Sequence, residues 1–275
     1  MKAFCPASIT AFFSTSISEN PLLSGSYGVG FTINKGVFVD VEESDEVEII
    51  VNGKRWNFPT VQCLINKLIG AKVRVNVNME LLVECGFGMS GATALATALS
   101  INKFFGLKRR FMELADIAHE CEVVNKTGLG DVVCQTFGGL VVRLSASCPS
   151  KAVIERLNVN ANLDFLVIDK ISTEEVLKDE LKRKRINKVG MECLKEFMKN
   201  PDFDNLFRVA NKFSIEAGLM DDELKDVIEA VESDGGKAAM VMLGKAVFAH
   251  NGFKALKEFG KPFKAKISCC GAHFS

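Results

Sequence analysis

Residues 84–102, ECGFGMSGATALATALSIN, gather the residue types that hold phosphate: Gly86, Gly88, Ser90 and Gly91 lie between an alternating stretch and a run of small apolar residues. A glycine-rich turn feeding a helix offers free backbone N–H groups and the positive end of the helix dipole to an anion. Glycine lets the backbone approach closely and adopt φ > 0. The Ser90 hydroxyl can reach a phosphate oxygen or its metal. The pattern fits equally a tight strand-to-helix turn packed against a neighbour. It is not a GxxxxGKS/T loop, because no Lys follows the last Gly, and Gly86-Phe-Gly88 followed by Met-Ser-Gly91 is not GxGxxG.

Charged side chains stand in three further places. At about 100° per residue, a helix over residues 111–125 carries an apolar stripe of Leu114, Ile117, Ala118, Cys121 and Val124, with Glu113, Asp116 and Glu120 facing solvent. His119 and Glu122 fall at the margin of the stripe, where a polar group needs a partner. Local backbone or each other would satisfy them. Next, Lys126-Thr-Gly-Leu-Gly-Asp131 delivers Asp131 after a sharp glycine turn, as a turn former, an N-cap or a catalytic carboxylate. Arg143 interrupts an apolar strand over residues 140–144 and is either edge-exposed or an anion ligand.

The elements that must position these groups follow from periodicity and turn signals. Residues 2–13 are apolar but broken by Pro6, and residues 14–30 read as a loop rich in Ser, Gly and Asn. Strands follow at 31–41 and 47–51, and Asn52-Gly53 turns a hairpin into 55–58. Residues 60–69 form a helix with Val61, Leu64, Ile65 and Leu68 on one face, and 72–79 alternate as a strand. The polar stretch 145–162 reads as a boundary between two domains, 1–150 and 151–275. Beyond it, strands are expected at 165–168, 238–243, 246–249 and 265–269, and helices at 173–187, 191–198, 206–217, 222–232 and 253–259. Strands with packed helices make this an α+β chain.

Composition narrows the function classes. The chain of 275 residues is long enough for a sizeable core. Its formal charge is zero, so no nucleic-acid or membrane-surface partner is expected. The basic run 182–185 reads as a solvated helix face. Nine cysteines without a CxxC pair, and only three histidines, argue against a zinc site or a disulfide framework and for a reducing, cytoplasmic setting. No window approaches the roughly 18 apolar residues of a membrane span, and the N-terminus does not read as a signal peptide.

The series FCPASITAFF, PLLSGSYGVG, GFGMSGATALATALSIN, AHECEVVNKTGLGDVV, GGLVVR and ISTEEVL, from residue 4 to about 177, is similar to the GHMP kinases and, within them, to the archaeal pantoate kinase family. The glycine stretch resembles that superfamily's PxxxGLGSSA phosphate loop, although the leading Pro is absent and Met89 replaces the first Ser. The resemblance implies the two-domain GHMP kinase fold: a ribosomal-S5-like N-terminal domain, a ferredoxin-like C-terminal domain and ATP in the cleft between them. It implies ATP-dependent phosphorylation of pantoate to 4-phosphopantoate for coenzyme A synthesis, with Mg²⁺, and leaves room for a homodimer. Gly86, Gly88, Ser90 and Gly91 would then bind ATP phosphates, and Ser90 and Glu122 the metal. Asp131 would stand beside the acceptor hydroxyl, and Ser26, His119, Arg143 and Thr173 would face pantoate. Two departures stand out: Pro6-Ala7-Ser8 carries no cation where the superfamily commonly has one, and Leu23 and Tyr27 replace expected basic residues. The alternatives are a GHMP kinase for another hydroxy acid, such as homoserine, shikimate or mevalonate, and a GHMP-fold binding protein without catalysis.

Overall fold

The computed structural model describes residues 2–170 and 179–275. Its two longest strands, β1 (Ala3–Ser16) and β2 (Gly25–Glu42), form one antiparallel hairpin. Residues 14–30, expected as loop, are therefore mostly strand; only 17–24 lie outside, with a 3-10 turn at Pro21–Leu23. Isolated Ser and Gly favour loops, but here Phe12↔Val29 to Ser16↔Gly25 pair in register, and tertiary pairing overrides propensity. Pro6, the apparent strand breaker, sits where the register shifts between Pro6 and Ala7, a place that tolerates a missing N–H.

Five more short strands complete one side of the molecule: β3 (Glu48–Val51), β4 (Lys54–Arg55), β5 (Arg74–Met79), β6 (Leu140–Arg143) and β7 (Ile154–Leu157). The expected strand at 55–58 shrinks to β4 beyond the Asn52-Gly53 turn. With β12 (His273–Phe274) they form an eight-stranded sheet in the order β12-β1-β2-β5-β3-β4, with β6 joining β2 and β7 joining β6. β7 lies in the stretch that reads as a boundary, yet it belongs to this sheet.

Helices α1 (Pro59–Leu68), α2 (Met89–Phe104), α3 (Phe111–Val124) and α4 (Asp131–Phe137) pack with this sheet. α2 is buried almost all round from Met89 to Ile101, as expected for a helix without a polar face. α3 departs from its predicted stripe: Val124 is 54 % exposed, whereas His119 and Glu122, placed at its margin by the sequence, are 1 % and 2 % exposed. α4 was not apparent in the sequence, because Val132-Val133 and Gly138-Gly139 argue against a helix taken locally.

The second sheet contains β8 (Asn162–Asp169), β9 (Lys237–Met240), β10 (Lys245–His250) and β11 (Phe263–Lys266), all antiparallel in the order β11-β8-β10-β9. Helices α5 (Glu180–Phe197), α6 (Phe203–Glu216) and α7 (Asp222–Ser233) lie between β8 and β9, and α8 (Phe253–Leu256) between β10 and β11. This is the ferredoxin-like succession of the α+β class. Aromatic contacts tie the two halves of the chain together: Phe12 of β1 meets Phe197 of α5 with centroids 5.8 Å apart, Phe31 of β2 meets Phe248 of β10 at 5.3 Å, and Phe87 meets Phe165 of β8 at 6.0 Å.

The two helices expected at 173–187 and 191–198 are, over the described residues, one continuous helix through Gly190. Gly190 interrupts the helical pattern in the sequence for a reason that only packing reveals. A Cβ there would stand 1.9 Å from the backbone oxygen of Phe13, so α5 rests directly on the backbone of β1. Helix propensity favours Ala over Gly by about 1 kcal/mol, but overpacking costs typically 1–3 kcal/mol or more, and the opposing atom is backbone. Gly190→Ala is therefore expected to lower the melting temperature. An unchanged or higher value in thermal unfolding would show that the contact yields easily.

Candidate active site

Phe87 anchors the glycine loop. Its ring is buried against Phe165 and, at 5.9 Å, Phe263 of the second sheet. The glycines of the loop serve close packing and a left-handed backbone. A Cβ on Gly86 would meet Val241 Cγ1 at 2.6 Å, so this residue packs against the segment after β9. Gly88 caps α2 with φ 59°, in the left-handed region that favours glycine. A Cβ there would lie 2.2 Å from Ser8 Oγ and 2.9 Å from Asp131 Cγ. Gly91, in the first turn of α2, faces Val132 and Gln135 of α4. The N-terminus of α2 thus opens beside Asp131, with Ser90 in its first turn.

Ser90 Oγ donates to Glu122 Oε1 at 2.5 Å, and Thr127 Oγ1 donates to the same oxygen at 2.6 Å. Thr60 closes this hydroxyl cluster, 3.1 Å from Thr127 and 3.5 Å from Ser90. Glu122 Oε2 is buried without a hydrogen-bond partner. Asp131 accepts from Ser8 Oγ at 2.8 Å. A Cβ built on Gly128 would stand 2.5 Å from Glu122 Oε2 and 3.2 Å from Asp131 Oδ2, so the two carboxylates face one small space. Burial pushes the Glu122 carboxyl up to about 7, Asp131 adds to the rise, and the hydroxyls of Ser90 and Thr127 oppose it. Burial also raises the Asp131 carboxyl, against the Ser8 bond and the charge of Arg143.

Arg143 is 1 % exposed, which removes the edge-exposed alternative. Its Nε donates to the Ser26 carbonyl at 3.2 Å and its Nη1 to Cys134 Sγ at 2.8 Å, while Nη2 is buried without a partner. Ser26 is buried beside it at the cleft, and a Cβ on Gly130 would meet Ser26 Oγ at 2.3 Å and Arg143 Cζ at 3.1 Å. His119 is not at the cleft. It lies behind it, with Nε2 2.9 Å from the Ser24 carbonyl, and burial lowers its pKa, so the ring is neutral and braces the turn before Ser26. Thr173 lies outside the described residues.

These groups line a cleft of about 700 Å³ that reaches from Trp56 and Phe58 to Met242 and Leu243. Lys126 and Arg183 add positive charge to its lining. Arg183 belongs to the run 182–185, whose other members are exposed as the sequence implies. Among the described residues, no three His, Cys, Asp or Glu side chains are grouped to hold a metal. What the site offers a cation is oxygen only, from Ser90, Glu122 and Asp131. The sequence reading missed Ser8, Thr60, Thr127 and Gln135. The absent cation of Pro6-Ala7-Ser8 marked the place of Ser8, but short polar side chains carry no pattern that singles them out.

The family model "GHMP kinases N terminal domain" matches residues 57–139, which span the loop, Glu122 and Asp131. A pantoate kinase of Methanocaldococcus jannaschii is 31 % identical over 97 % of this chain and 98 % of its own length. A pantoate kinase of Thermococcus kodakarensis is 33 % identical over 90 % of this chain and 87 % of its own. A solved structure described as a phosphotransferase related to the CoA biosynthesis pathway superposes with TM-score 0.89 at 27 % identity, covering 99 % of this chain and 97 % of that one.

The Glu122 environment makes stability depend on pH. A carboxyl raised from an ordinary 4.5 to about 7 takes up a proton on folding. Its contribution is complete below about pH 4.5 and is lost as pH rises through about 7. In metal-free buffer, Glu122→Gln is expected to become more stable than wild type as pH rises from 5 to 8. The gain is on the order of 3 kcal/mol at most. Parallel melting temperatures across that range would show that Glu122 is ionised without cost.

Proposed function

The chain belongs to the pantoate kinase family of the GHMP kinases, and we propose that its cleft transfers the terminal phosphoryl group of ATP to the C4 primary hydroxyl of pantoate, giving 4-phosphopantoate and ADP. The observation that carries this reading is the pair of buried carboxylates, Glu122 and Asp131, facing one space at the N-terminus of α2. Phosphoryl transfer needs its charge neutralised and its acceptor hydroxyl held in line. The pair supplies one group for each task.

The N–H groups at the start of α2 and the left-handed Gly88 suit the ATP phosphates. Ser90 and Glu122 fit a magnesium ion, because both offer oxygen, and Glu122 Oε2 is a buried acceptor without a partner. Bound magnesium would neutralise charge on the phosphates. Asp131 accepts the acceptor hydroxyl's proton and orients its oxygen. Burial raises the Asp131 pKa, and a raised carboxylate is the better base near neutral pH. Arg143 holds the pantoate carboxylate through its unpartnered Nη2, beside Ser26. His119 acts at one remove, through the Ser24 turn. The contact proposed for Thr173 rests on the resemblance alone.

ADP release measured over pantoate, homoserine, shikimate and mevalonate tests the substrate. Pantoate is expected to be strongly preferred; a preference for any of the other three overturns the reading. Asp131→Asn is expected to lower kcat by about 10²–10⁴ in a folded protein, and near-normal turnover would remove Asp131 from the chemistry. Arg143→Lys keeps the charge but loses the planar fork, so the KM for pantoate should rise while that for ATP changes little. Arg143→Ala should cost more, roughly 2–5 kcal/mol in kcat/KM. If both Arg143 variants saturate with pantoate as wild type does, Arg143 is not the carboxylate ligand.

A further inference from the structure

The superfamily's cationic position before the base is empty of charge in this chain: Pro6-Ala7-Ser8 carries a hydroxyl instead. Ser8 makes two contacts that converge on the site. Its backbone N–H donates to the Phe87 carbonyl at 3.0 Å, which ties β1 to the glycine loop. Its hydroxyl donates to Asp131 Oδ1 at 2.8 Å. Gln135, one turn after Asp131 on α4, completes the arrangement. Its Nε2 donates to Ser8 Oγ at 3.1 Å and to the Gly88 carbonyl at 2.7 Å.

The direction of this chain is fixed by chemistry. The Gly88 carbonyl can only accept, so the end of the Gln135 amide beside it must be the NH₂. That NH₂ also fills an acceptor position on Ser8 Oγ. A serine hydroxyl has one proton to give, and with an N–H pointing at its oxygen, the proton goes to the remaining acceptor, Asp131 Oδ1. The arrangement has a cost, since Gln135 Oε1 is buried without a partner. A buried glutamine with one orphaned oxygen is the kind of exception that calls for a reason. An apolar side chain of similar size would avoid the orphan but could not hold both Ser8 and Gly88.

We propose that Gln135 and Ser8 are positioning residues for the base: two hydrogen bonds in series clamp Asp131 Oδ1, turn Oδ2 toward the acceptor hydroxyl, and lock the carboxylate to Gly88 of the phosphate loop. A neutral donor does this without cancelling the charge of the base, as a lysine at the same place would in part. The clamp joins β1, α4 and the start of α2, so the distance between base and phosphate loop is set by three hydrogen bonds in series. The charged and titratable groups facing Asp131 are Arg143, which favours its ionised form, Glu122, whose own carboxyl Asp131 pushes up, and the Cys134 thiol on its own helix, which burial keeps protonated. Ser8 and Gln135 are neutral at every working pH. This inference rests on the role of Asp131 proposed above, and its test separates the two.

The test is a double-mutant cycle in steady-state kinetics with ATP and pantoate, with folding followed by circular dichroism. Ser8→Ala is expected to lower kcat roughly 10- to 10²-fold, the scale of a misplaced catalytic group, with both KM values within about twofold, since Ser8 touches neither substrate. Gln135→Met should give a smaller fall in the same direction, and combining it with Ser8→Ala should add little. Ser8→Cys keeps the shape with a weak donor, so its kcat should fall between wild type and Ser8→Ala; it carries the test if Ser8→Ala does not fold. In an Asp131→Asn background, Ser8→Ala should cause no further loss. A wild-type kcat in Ser8→Ala, or an equal loss with and without Asp131, overturns the clamp while leaving the proposed function intact. A wild type that does not phosphorylate pantoate, or an Asp131→Asn variant with normal turnover, overturns the proposed function and the clamp together.

Discussion

Two carboxyl groups buried beside one another are what the rest of the site is arranged around. Glu122 and Asp131 face the same space, and the nearest hydrogen-bond donors to them are hydroxyls rather than ammonium or guanidinium groups. Neutral donors lower the cost of burial only in part, so both carboxyls are held above their usual range. A protein gains no stability from such a pair. It makes sense where a positive ligand arrives: a hard cation that binds Glu122 must displace its proton near neutral pH, so that ligation and ionisation occur together. Burial raises Asp131 as well, and the Ser8 hydrogen bond and the charge of Arg143 oppose that rise.

The fold is built to hold this strain in place. Asp131 starts α4, Glu122 lies in the last turn of α3, Ser90 lies in the first turn of α2, and Ser8 comes from the middle of β1. Short connections, residues 105–110 and 125–130, join α2 to α3 and α3 to α4, but Ser90 lies at the far end of α2 and Ser8 on a distant strand, so connections alone do not fix their distance. What fixes it is α2, a helix without a polar face, buried against β1, β2 and the other helices around it. Its alanines and Gly91 let those neighbours come close. The second sheet contributes from the other side: Phe165 and Phe263 hold Phe87, and the segment at Val241 and Met242 packs on Gly86, so the glycine loop is gripped from both halves of the chain.

Much of this was legible in the sequence, for reasons that differ by residue. The glycine loop was visible because backbone chemistry restricts its composition to a recognisable set. Asp131 and Arg143 were visible because a charge stood where its neighbours were apolar. The short polar residues were not. Ser8, Thr60, Thr127 and Gln135 are ordinary types in ordinary local contexts, and their partners lie up to 127 positions away. Gly190 read as a break between two helices because its function is to let α5 lie on the backbone of β1, a contact that sequence periodicity does not record.

The sequence by itself determined the α+β class, the glycine loop with its helix, and the family resemblance, because these depend on local spacing: period two, period 3.6 and the glycines between them. It also placed a carboxylate and an imidazole near the margin of α3 but could not separate their roles. Only the tertiary structure turned Glu122 into the cleft and His119 away from it, toward the Ser24 carbonyl. It alone decided that Arg143 is buried with one nitrogen unpartnered, and that residues 14–16 and 25–30 pair as strand. The physical reason is common to all four. Burial and hydrogen-bond satisfaction depend on which segments meet, and those meetings, between residues scores of positions apart, are settled by packing the whole core rather than by any stretch within it.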